Sequence, residues 1–247
     1  MKNILEMTRD ELLDLRPEDV RGRLNAAEVV HIANTLGAFW HYDYEASKQG
    51  KVGLHALLKS GRHSDGFFVS KILLESSNIR EIMAKQMVMR LSEVLLCDVD
   101  YVIGIPDGAT SLGESVAKIL GTKVATMEKK DGRLVLVTEI EQQSTVLFVE
   151  DFCTRGTGFR KAVLEVLSKE PTASILPFDT VILNRGGMVR VVVSDTLSCR
   201  VLPVVEKRVK DWAADTVDPC PLCVLGSTPI KPKATDENWR SITTSQL

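Results

Sequence analysis

The sequence predicts an α/β fold with a central, mainly parallel sheet flanked by helices. Two stretches show the same order of elements: an apolar strand, a loop of small residues and an amphipathic helix. The first covers residues 101–121 and the second covers residues 146–171. Alternation of strands and helices is typical of parallel sheets, in which ligands bind beyond the carboxyl ends of the strands. We therefore expect a doubly wound core with two ligand-binding loops.

The composition is that of a folded protein without a specialised surface. The 247 residues are 44% hydrophobic and carry a formal net charge of −2. No basic run long enough to follow a nucleic-acid backbone is present. Charged residues interrupt the first positions, unlike a signal peptide, and no stretch approaches the roughly 18 uninterrupted apolar residues of a membrane span. We expect a soluble, cytoplasmic protein that binds neither nucleic acid nor membranes.

Two helices are predicted before the first strand of the core. Residues 1–23 are charged and weakly patterned, and we expect them to form a peripheral arm. Small or apolar residues then recur every three to four positions across residues 24–40, which predicts a helix that covers a sheet edge. A further apolar pattern predicts a second helix over residues 79–95. The N-terminal region is thus expected to act as a hood over the core.

The composition also suggests where the chain is divided. From Lys207 onward the sequence is polar and proline-rich, without a clear period. We expect an extended C-terminal appendage, anchored by Trp212 and Trp239 because large apolar rings are costly to leave exposed. The predicted division is an N-terminal helical cover at 1–50, a core at 51–206 and the appendage at 207–247.

The second of the repeated stretches carries the strongest indication of a ligand. Its strand ends in Glu150 and Asp151, and a short loop then leads into a helix. The first amide groups of a helix lack partners and the helix dipole favours an anion there, so a phosphate suits this loop. The two acids suit ribose hydroxyls or a metal-bound sugar. The alternative is an ordinary strand end with an exposed acidic pair. The loop residues expected to bind phosphate are Thr154, Arg155, Gly156, Thr157 and Gly158.

Two acids that close an apolar strand before a T-x-G-T loop resemble the phosphoribosyl-diphosphate (PRPP) signature of type I phosphoribosyltransferases. The resemblance implies that Glu150 and Asp151 hold the ribose of PRPP and that the loop binds its 5′-phosphate. In this family the corresponding loop of the first repeat cups the diphosphate with backbone amides. Asp107 is unusual for such a loop, and we expect it to face a Mg²⁺ ion or to turn outward. The residues at that loop are Ile105, Pro106, Asp107 and Gly108.

A second segment resembles the K-S-G-R-x-S segment that opens orotate phosphoribosyltransferases, followed there by an aromatic pair. The matching residues begin at Lys59 and include Phe67 and Phe68, whereas Asp65-Gly66 replaces the usual Pro and aromatic residue. A lysine supplies a cation for an anionic ligand, and a phenyl ring supplies a stacking surface. The resemblance implies that these three side chains bind the base. The alternative is a solvated hairpin turn with buried phenylalanines.

Arg185 extends the resemblance toward the end of the core. It matches the arginine of the family's D-R-x-x-G segment, which contacts the pyrimidine base, and Asn184 replaces the aspartate. The alternative for this residue is a surface arginine without a ligand.

The main departure from the family lies between the two repeats. Residues 123–137 predict two strands joined by a tight hairpin with Asp131-Gly132 at its tip. Orotate phosphoribosyltransferases carry here a longer mobile loop whose cations reach the neighbouring subunit's site, which implies a homodimer. Met127 stands where the family's Arg-Lys pair begins, and no histidine follows. The cations that remain are Lys129, Lys130 and Arg133, and the resemblance implies a catalytic role for them together with Asp151.

The resemblance implies transfer of the 5-phosphoribosyl group from PRPP to orotate, which gives orotidine 5′-monophosphate and diphosphate. Mg²⁺ is the expected cofactor, held mainly through PRPP and not by a set of protein ligands. Two alternatives remain open: a phosphoribosyltransferase for another base, and a non-catalytic PRPP- or nucleotide-sensing protein of the same fold. The shortened hairpin is the feature that favours the second alternative.

The five cysteines do not form the pattern of a disulfide framework, because their number is odd and they are scattered. Cys220 and Cys223 form one C-x-x-C pair, which we expect to be structural or incidental and not catalytic. A structural zinc site usually needs a second pair of Cys or His, and all four histidines lie far upstream in the sequence. We therefore expect no protein-bound metal, and a zinc ion would need Cys199 or another subunit.

Overall fold

The computed structural model describes residues 3–214 and 219–247, and contacts divide the chain into two compact units. The first unit combines residues 3–35 with Ser70–Arg208. The second combines Leu36–Val69 with the described part of Val209–Leu247. Residues 36–69 thus fold together with the C-terminal segment, whereas the sequence suggested divisions near residues 50 and 206. In the described parts of the chain, no helix has the length and apolar character needed to cross a membrane.

Most helices of the described residues are short, and the longest flank the sheet of the first unit. After a 3₁₀ turn at Ile4–Glu6, they are α1 (Arg9–Leu13), α2 (Ala26–Thr35), α3 (Tyr44–Lys48), α4 (Ser70–Glu75), α5 (Ser77–Leu91), α6 (Thr110–Leu120), α7 (Thr157–Lys169), α8 (Pro221–Val224) and α9 (Asp236–Thr244).

The strands form one large sheet in the first unit and shorter pairings elsewhere. They are β1 (Phe39–His41), β2 (Leu54–Leu57), β3 (His63–Ser64), β4 (Gly66–Phe68), β5 (Tyr101–Gly104), β6 (Lys123–Val124), β7 (Met127–Lys130), β8 (Arg133–Leu136), β9 (Thr145–Cys153), β10 (Ser174–Asn184), β11 (Arg190–Val192), β12 (Ser198–Glu206), β13 (Asp211–Trp212) and β14 (Thr228–Ile230).

The large sheet has six strands in the order β11-β12-β10-β9-β5-β6. All neighbours pair in parallel except β11, which runs antiparallel to β12. The two longest strands of its centre, β9 and β10, are buried along most of their length because helices cover both faces. The predicted α/β fold with a mainly parallel sheet is confirmed.

The core of the first unit follows from the alternation of side chains along β9. Phe148 packs edge-on against Phe159 of α7, with ring centroids 5.7 Å apart. Its neighbours Leu147 and Val149 are also fully buried, and successive side chains of a strand point to opposite faces. Helix α6 contacts both β5 and β9. Consecutive side chains of β9 therefore lie on opposite faces of the sheet, and this also applies to its two acids, Glu150 and Asp151.

The N-terminal segment is packed more firmly than a peripheral arm. Leu12 and Leu15 are buried, and the side-chain amide of Asn78 donates hydrogen bonds to the carbonyls of Leu12, Leu13 and Leu15. The sequence pattern missed this anchoring because the partner lies in α5, more than sixty residues away. The segment is a part of the first unit's folded structure.

The helix predicted over residues 24–40 is shorter than expected. Helix α2 ends at Thr35, and Gly37 follows with φ of +75°. A glycine tolerates this left-handed conformation, which ends helices. Phe39 and Trp40 then belong to β1, which pairs antiparallel with β4. The helical spacing of Trp40 from Ala33 and Gly37 therefore misled the prediction.

The second unit contains a four-stranded sheet in the order β13-β3-β2-β14. Its C-terminal part is more regular than the predicted extended appendage, since it includes α8, β14 and α9. Of the two tryptophans expected to anchor this segment on the main body, Trp239 packs within the second unit. This ring lies 6.1 Å from the ring of Phe67, and its Nε1 donates to the carbonyl of Gly37 at 3.2 Å.

Candidate functional site

The loops after β5 and β9 lie side by side at the carboxyl edge of the large sheet. The two strands are parallel neighbours, with Gly104 in register with Val149. The loop after β5 contains a cis peptide bond between Pro106 and Asp107. A Cβ atom added at Gly108 would overlap Oδ2 of Asp151. The structure thus brings the predicted diphosphate loop directly against the second acid of the central motif.

Asp151 accepts a hydrogen bond from the next residue of its own strand. The Phe152 amide donates to Asp151 Oδ1 at 2.8 Å. Burial raises the pKa of Asp151, and hydrogen bonds from the Ser70 hydroxyl and the Phe152 amide oppose that rise. The amino-acid pattern gave no indication of Ser70, which lies at the start of α4, far from the central motif in sequence. The carboxyl group is therefore fixed in orientation and close to the loop after β5.

Glu150 points to the other face of the sheet, as alternation along β9 requires. It is 8% exposed, and its Oε1 lies so close to α7 that a Cβ atom at Gly158 would approach within 2.6 Å. Burial raises the pKa of Glu150 well above its usual value, and the carboxyl groups of Asp179 and Asp151 raise it further. The two adjacent acids therefore have different surroundings.

Asp179 of β10 completes a buried polar cluster that sequence reasoning missed. Its carboxyl group, that of Glu150 and the thiol of Cys153 lie within 4.8 Å of one another. Burial raises the pKa of Asp179 to about 7, and neither of its carboxylate oxygens has a hydrogen-bond partner among the described residues. The sequence feature that could have identified Asp179 is an acidic residue within an otherwise apolar strand. Two carboxyl groups this close and this buried retain a proton near neutral pH.

The loop after β9 has the geometry of an anion-binding turn. Gly156 has φ of +64° and precedes α7, and its carbonyl accepts the amide of Arg160 at 2.9 Å. A side chain at Gly156 would also collide with Val191. Arg155 and Thr157 on either side of it are exposed. The first turn of a thirteen-residue helix therefore presents its amide groups beside a guanidinium and a hydroxyl.

Arg185 lies at the end of the neighbouring strand, beside the same loop. Its amide donates to the carbonyl of Cys153 at 2.8 Å, and its guanidinium lies 5.5 Å from the ring centroid of Phe152. The side chain of Asn184 bonds to both the amide and the carbonyl of Met188. The asparagine that replaces the family's aspartate thus closes the turn after β10.

The hairpin between the two loops forms as predicted, with Lys130 in register with Arg133. Lys129 Nζ lies 3.4 Å from Asp107 Oδ2. Lys130 instead pairs with Glu128 at 3.1 Å on the other face of the hairpin. Arg133 is exposed. Of the three predicted loop cations, the structure brings Lys129 to the loop after β5.

The predicted base-binding residues of the second unit lie on or beside the β2–β3 hairpin. Lys59 is exposed in its turn, whereas Phe68 is only 5% exposed. Phe67 is half-buried and packs against Trp239. Arg62 forms an ion pair with Asp211 at 2.8 Å, which joins the hairpin to β13.

The cysteine pair has a different environment from the one expected. Cys220 and Cys223 lie beside His55 and His63, with one donor atom of each residue within 4.8 Å of the others. The expectation that a metal would need Cys199 or another subunit was wrong, because it judged the histidines by their distance in sequence. Strand pairing brings them to the cysteines.

Comparison with known proteins agrees with this arrangement. No family model matches the chain. An orotate phosphoribosyltransferase from a Nitratiruptor species is 30% identical over 186 residues, which cover 72% of this chain and 90% of that protein. Orotate phosphoribosyltransferase of Acidithiobacillus ferrooxidans is 28% identical over 211 residues, or 85% of this chain and 97% of that protein.

Two solved structures show the same fold at low sequence identity. Orotate phosphoribosyltransferase from Aeropyrum pernix has a TM-score of 0.54 and 16% identity, with 72% of this chain and 93% of that chain covered. Leishmania donovani UMP synthase has a TM-score of 0.56 and 14% identity, with 76% of this chain and 38% of that chain covered. The parallel sheet, its paired loops and the identity to curated relatives lead to one conclusion: the chain belongs to the orotate phosphoribosyltransferase family.

Proposed function

We propose that the protein transfers the 5-phosphoribosyl group from PRPP to orotate, giving orotidine 5′-monophosphate and diphosphate. Its membership of the family gives the reaction. The observation that carries the proposal is the position of Asp151, which ends β9 and lies directly against Gly108 of the neighbouring loop. A sugar held at Asp151 has one phosphate-binding loop on each side.

The 5′-phosphate binds at the loop after β9. Five residues of this loop, Thr154 to Gly158, supply amide groups, hydroxyls and one guanidinium at the start of α7. A phosphate gains from each of these, because helix amides without partners and a cation both favour negative charge.

The two acids at the end of β9 contribute unequally to binding the ribose. Asp151 faces the loop after β5 and accepts hydrogen bonds from sugar hydroxyls. Glu150 lies beneath the start of α7, with its Oε1 against Gly158. Its main contribution is therefore to hold the phosphate loop in position.

The diphosphate binds at Ile105 to Gly108, opposite Lys129. Breaking the bond between C1 of ribose and the diphosphate leaves positive charge on the sugar and negative charge on the leaving group, so catalysis requires stabilisation of both. Lys129 stands 3.4 Å from Asp107 and neutralises charge on the leaving group. Lys130 and Arg133, on the same hairpin, add to the positive field around it.

Mg²⁺ suits this position because carboxylate and phosphate oxygens are its preferred ligands. Asp107 is exposed and Asp151 lies beside the same loop, so both offer oxygen atoms. These two acids would contribute oxygen atoms to an ion that is held mainly through PRPP. When bound, Mg²⁺ would supply further positive charge to the diphosphate.

The base is recognised by cationic and aromatic groups. Arg185 lies over Phe152 and offers the planar donors that suit a carboxylate such as that of orotate. The family resemblance adds Lys59, Phe67 and Phe68 to the base-binding residues. The same resemblance implies a homodimer, for which the mass of the purified protein in solution is the direct test.

A product-release assay over a panel of bases tests the proposal. The purified chain is incubated with PRPP, Mg²⁺ and orotate, uracil, adenine or hypoxanthine, and nucleotides are separated chromatographically. We expect orotidine 5′-monophosphate as the main product. A different nucleotide would assign another base, and PRPP binding without any nucleotide would favour a sensing protein.

A further inference from the structure

Four metal-binding side chains of the second unit converge on one point. They come from two segments separated by more than 150 residues: His55 and His63 from the β2–β3 hairpin, and Cys220 and Cys223 from α8 and its N-terminal flank. One donor atom of each lies within 4.8 Å of the other three. All the cysteines are free thiols. None of these four residues takes part in the proposed phosphoribosyl transfer.

Strand pairing explains why they meet. Antiparallel pairing of β2 with β3 places Leu57 opposite His63, so the two histidines lie close together on one hairpin. β14 runs parallel to β2, with Pro229 opposite His55. The C-x-x-C segment immediately precedes β14, and its position is therefore fixed by the same sheet.

The separations of the donor atoms match a tetrahedral site. Zn–N bonds of 2.0–2.1 Å and Zn–S bonds of 2.3 Å imply about 3.3 Å between two nitrogens and about 3.5 Å between a nitrogen and a sulfur. His55 Nε2 and His63 Nδ1 are 3.0 Å apart. Cys223 Sγ lies 3.6 Å from the first and 3.3 Å from the second. Cys220 Sγ lies 3.9 Å from His55 Nε2. A single ion can reach all four donors with small adjustments.

Ser227 fixes the tautomer that a metal requires. Its hydroxyl donates to the carbonyl of Gly53 at 3.1 Å and lies 2.9 Å from His55 Nδ1. Because the Ser227 hydroxyl donates its hydrogen to the carbonyl of Gly53, its oxygen can only accept from His55. The Nδ1 atom of His55 is therefore protonated and donates a hydrogen bond to Ser227. His55 Nε2 is then left with its lone pair directed at the other three donors. An outer hydrogen bond of this kind is typical of metal-binding histidines.

The surroundings favour a structural ion. His55, His63 and Cys220 are buried, and Cys220 belongs to an apolar cluster with Tyr42 and Leu222. Two imidazoles and two thiolates fill all four positions of a tetrahedral zinc ion, which leaves none open for a substrate or a water molecule.

We propose that His55, His63, Cys220 and Cys223 bind one structural zinc ion. The ion would tie the C-terminal segment to the β2–β3 hairpin, whose turn carries Lys59. The short strands of this unit provide little packing. Zinc binding would add to the stability of the unit, as structural zinc does in other small folds.

Metal analysis of the full chain tests the site independently of enzymatic activity. The protein is produced with zinc in the medium, purified under reducing conditions without chelators or a histidine tag, and analysed by mass spectrometry of the elements. We expect about one zinc per chain. The Cys220→Ser, Cys223→Ser double variant should lose it, whereas Cys97→Ser, which removes an exposed thiol elsewhere, should retain it.

Because the double variant could also lose its fold, X-ray absorption of the wild-type protein provides a second measurement. We expect two nitrogen ligands near 2.0 Å and two sulfur ligands near 2.3 Å. Substoichiometric zinc after reconstitution under reducing conditions would overturn the proposal. So would a ligand shell of oxygen atoms, or zinc retained by a folded double variant.

Discussion

The ammonium group of Lys129 lies 3.4 Å from the carboxylate of Asp107, linking the β7–β8 hairpin to the loop after β5. Both side chains are substantially exposed, at 43% and 76%, and such pairs add little to stability. The same position allows Lys129 to approach negative charge bound at that loop. Lys130, its neighbour in sequence, pairs with Glu128 on the opposite face.

We predict that Lys129→Ala lowers kcat roughly ten- to hundredfold, since a hydrogen bond to a charged group contributes about 1.5–3 kcal/mol. The loss should fall on kcat more than on KM, because negative charge grows on the diphosphate as the bond breaks. Lys130→Ala is the matched control and should have a much smaller effect. Steady-state kinetics with PRPP and orotate give both values, and a wild-type kcat in Lys129→Ala would remove Lys129 from the site.

We predict that Asp151→Asn reduces activity by about ten- to hundredfold without lowering the melting temperature. Burial already disfavours the charged form of Asp151 and raises its pKa, so a neutral amide of the same shape should not destabilise the fold. Kinetics and thermal unfolding are measured on the same preparation. Wild-type kinetics would exclude Asp151 from ribose binding, and a large fall in melting temperature would assign it a structural role.

The strongly periodic elements were predictable from the sequence. The strands β9 and β10 and the helices α6 and α7 each combine an apolar pattern with a clear loop, and such local patterns can be recognised without knowing which element packs against them. The position of the loop after β9 was predictable for the same reason. Because side chains alternate along a strand, Glu150 and Asp151 must point to opposite faces of the sheet. The family signature contains the two acids as a pair, and it therefore led to the prediction that they share one role.

The second unit was not predictable because its information is non-local. β3 and β13 have two residues each, too few to show a period, and they pair across the chain with Ser64 opposite Asp211. The grouping of His55 and His63 with the cysteines depends on the same pairings. Asp179 was missed because its carboxyl neighbour, Glu150, lies on a different strand.

We predict that Asp179 makes the protein less stable as the pH rises. An unfolded aspartate titrates near pH 4, whereas burial raises the pKa of folded Asp179 to about 7. The folded chain binds the proton more tightly, so this contribution is fully present below about pH 4 and is lost as the pH rises through 7. Glu150, whose pKa is also raised, acts in the same direction.

Asp179→Asn should therefore be more stable than the wild type at pH 8, on the order of 2–4 kcal/mol, and its stability should depend less on pH between 5 and 8. Denaturant unfolding at several pH values measures this difference. Asp195→Asn, which changes an exposed acid, is the control and should follow the wild type. A variant with the wild-type pH dependence would show that the buried pair does not hold the proton.

Orotate consumption coupled to diphosphate release is the most direct test of the proposed reaction. The purified chain is mixed with PRPP, Mg²⁺ and orotate, and the loss of orotate and the formation of diphosphate are followed together, with PRPP binding measured by calorimetry on the same sample. We expect one diphosphate per orotate consumed, no reaction without PRPP, and a marked loss in Asp151→Asn. Binding of PRPP with no orotate consumed and no diphosphate released would contradict the proposed transferase activity.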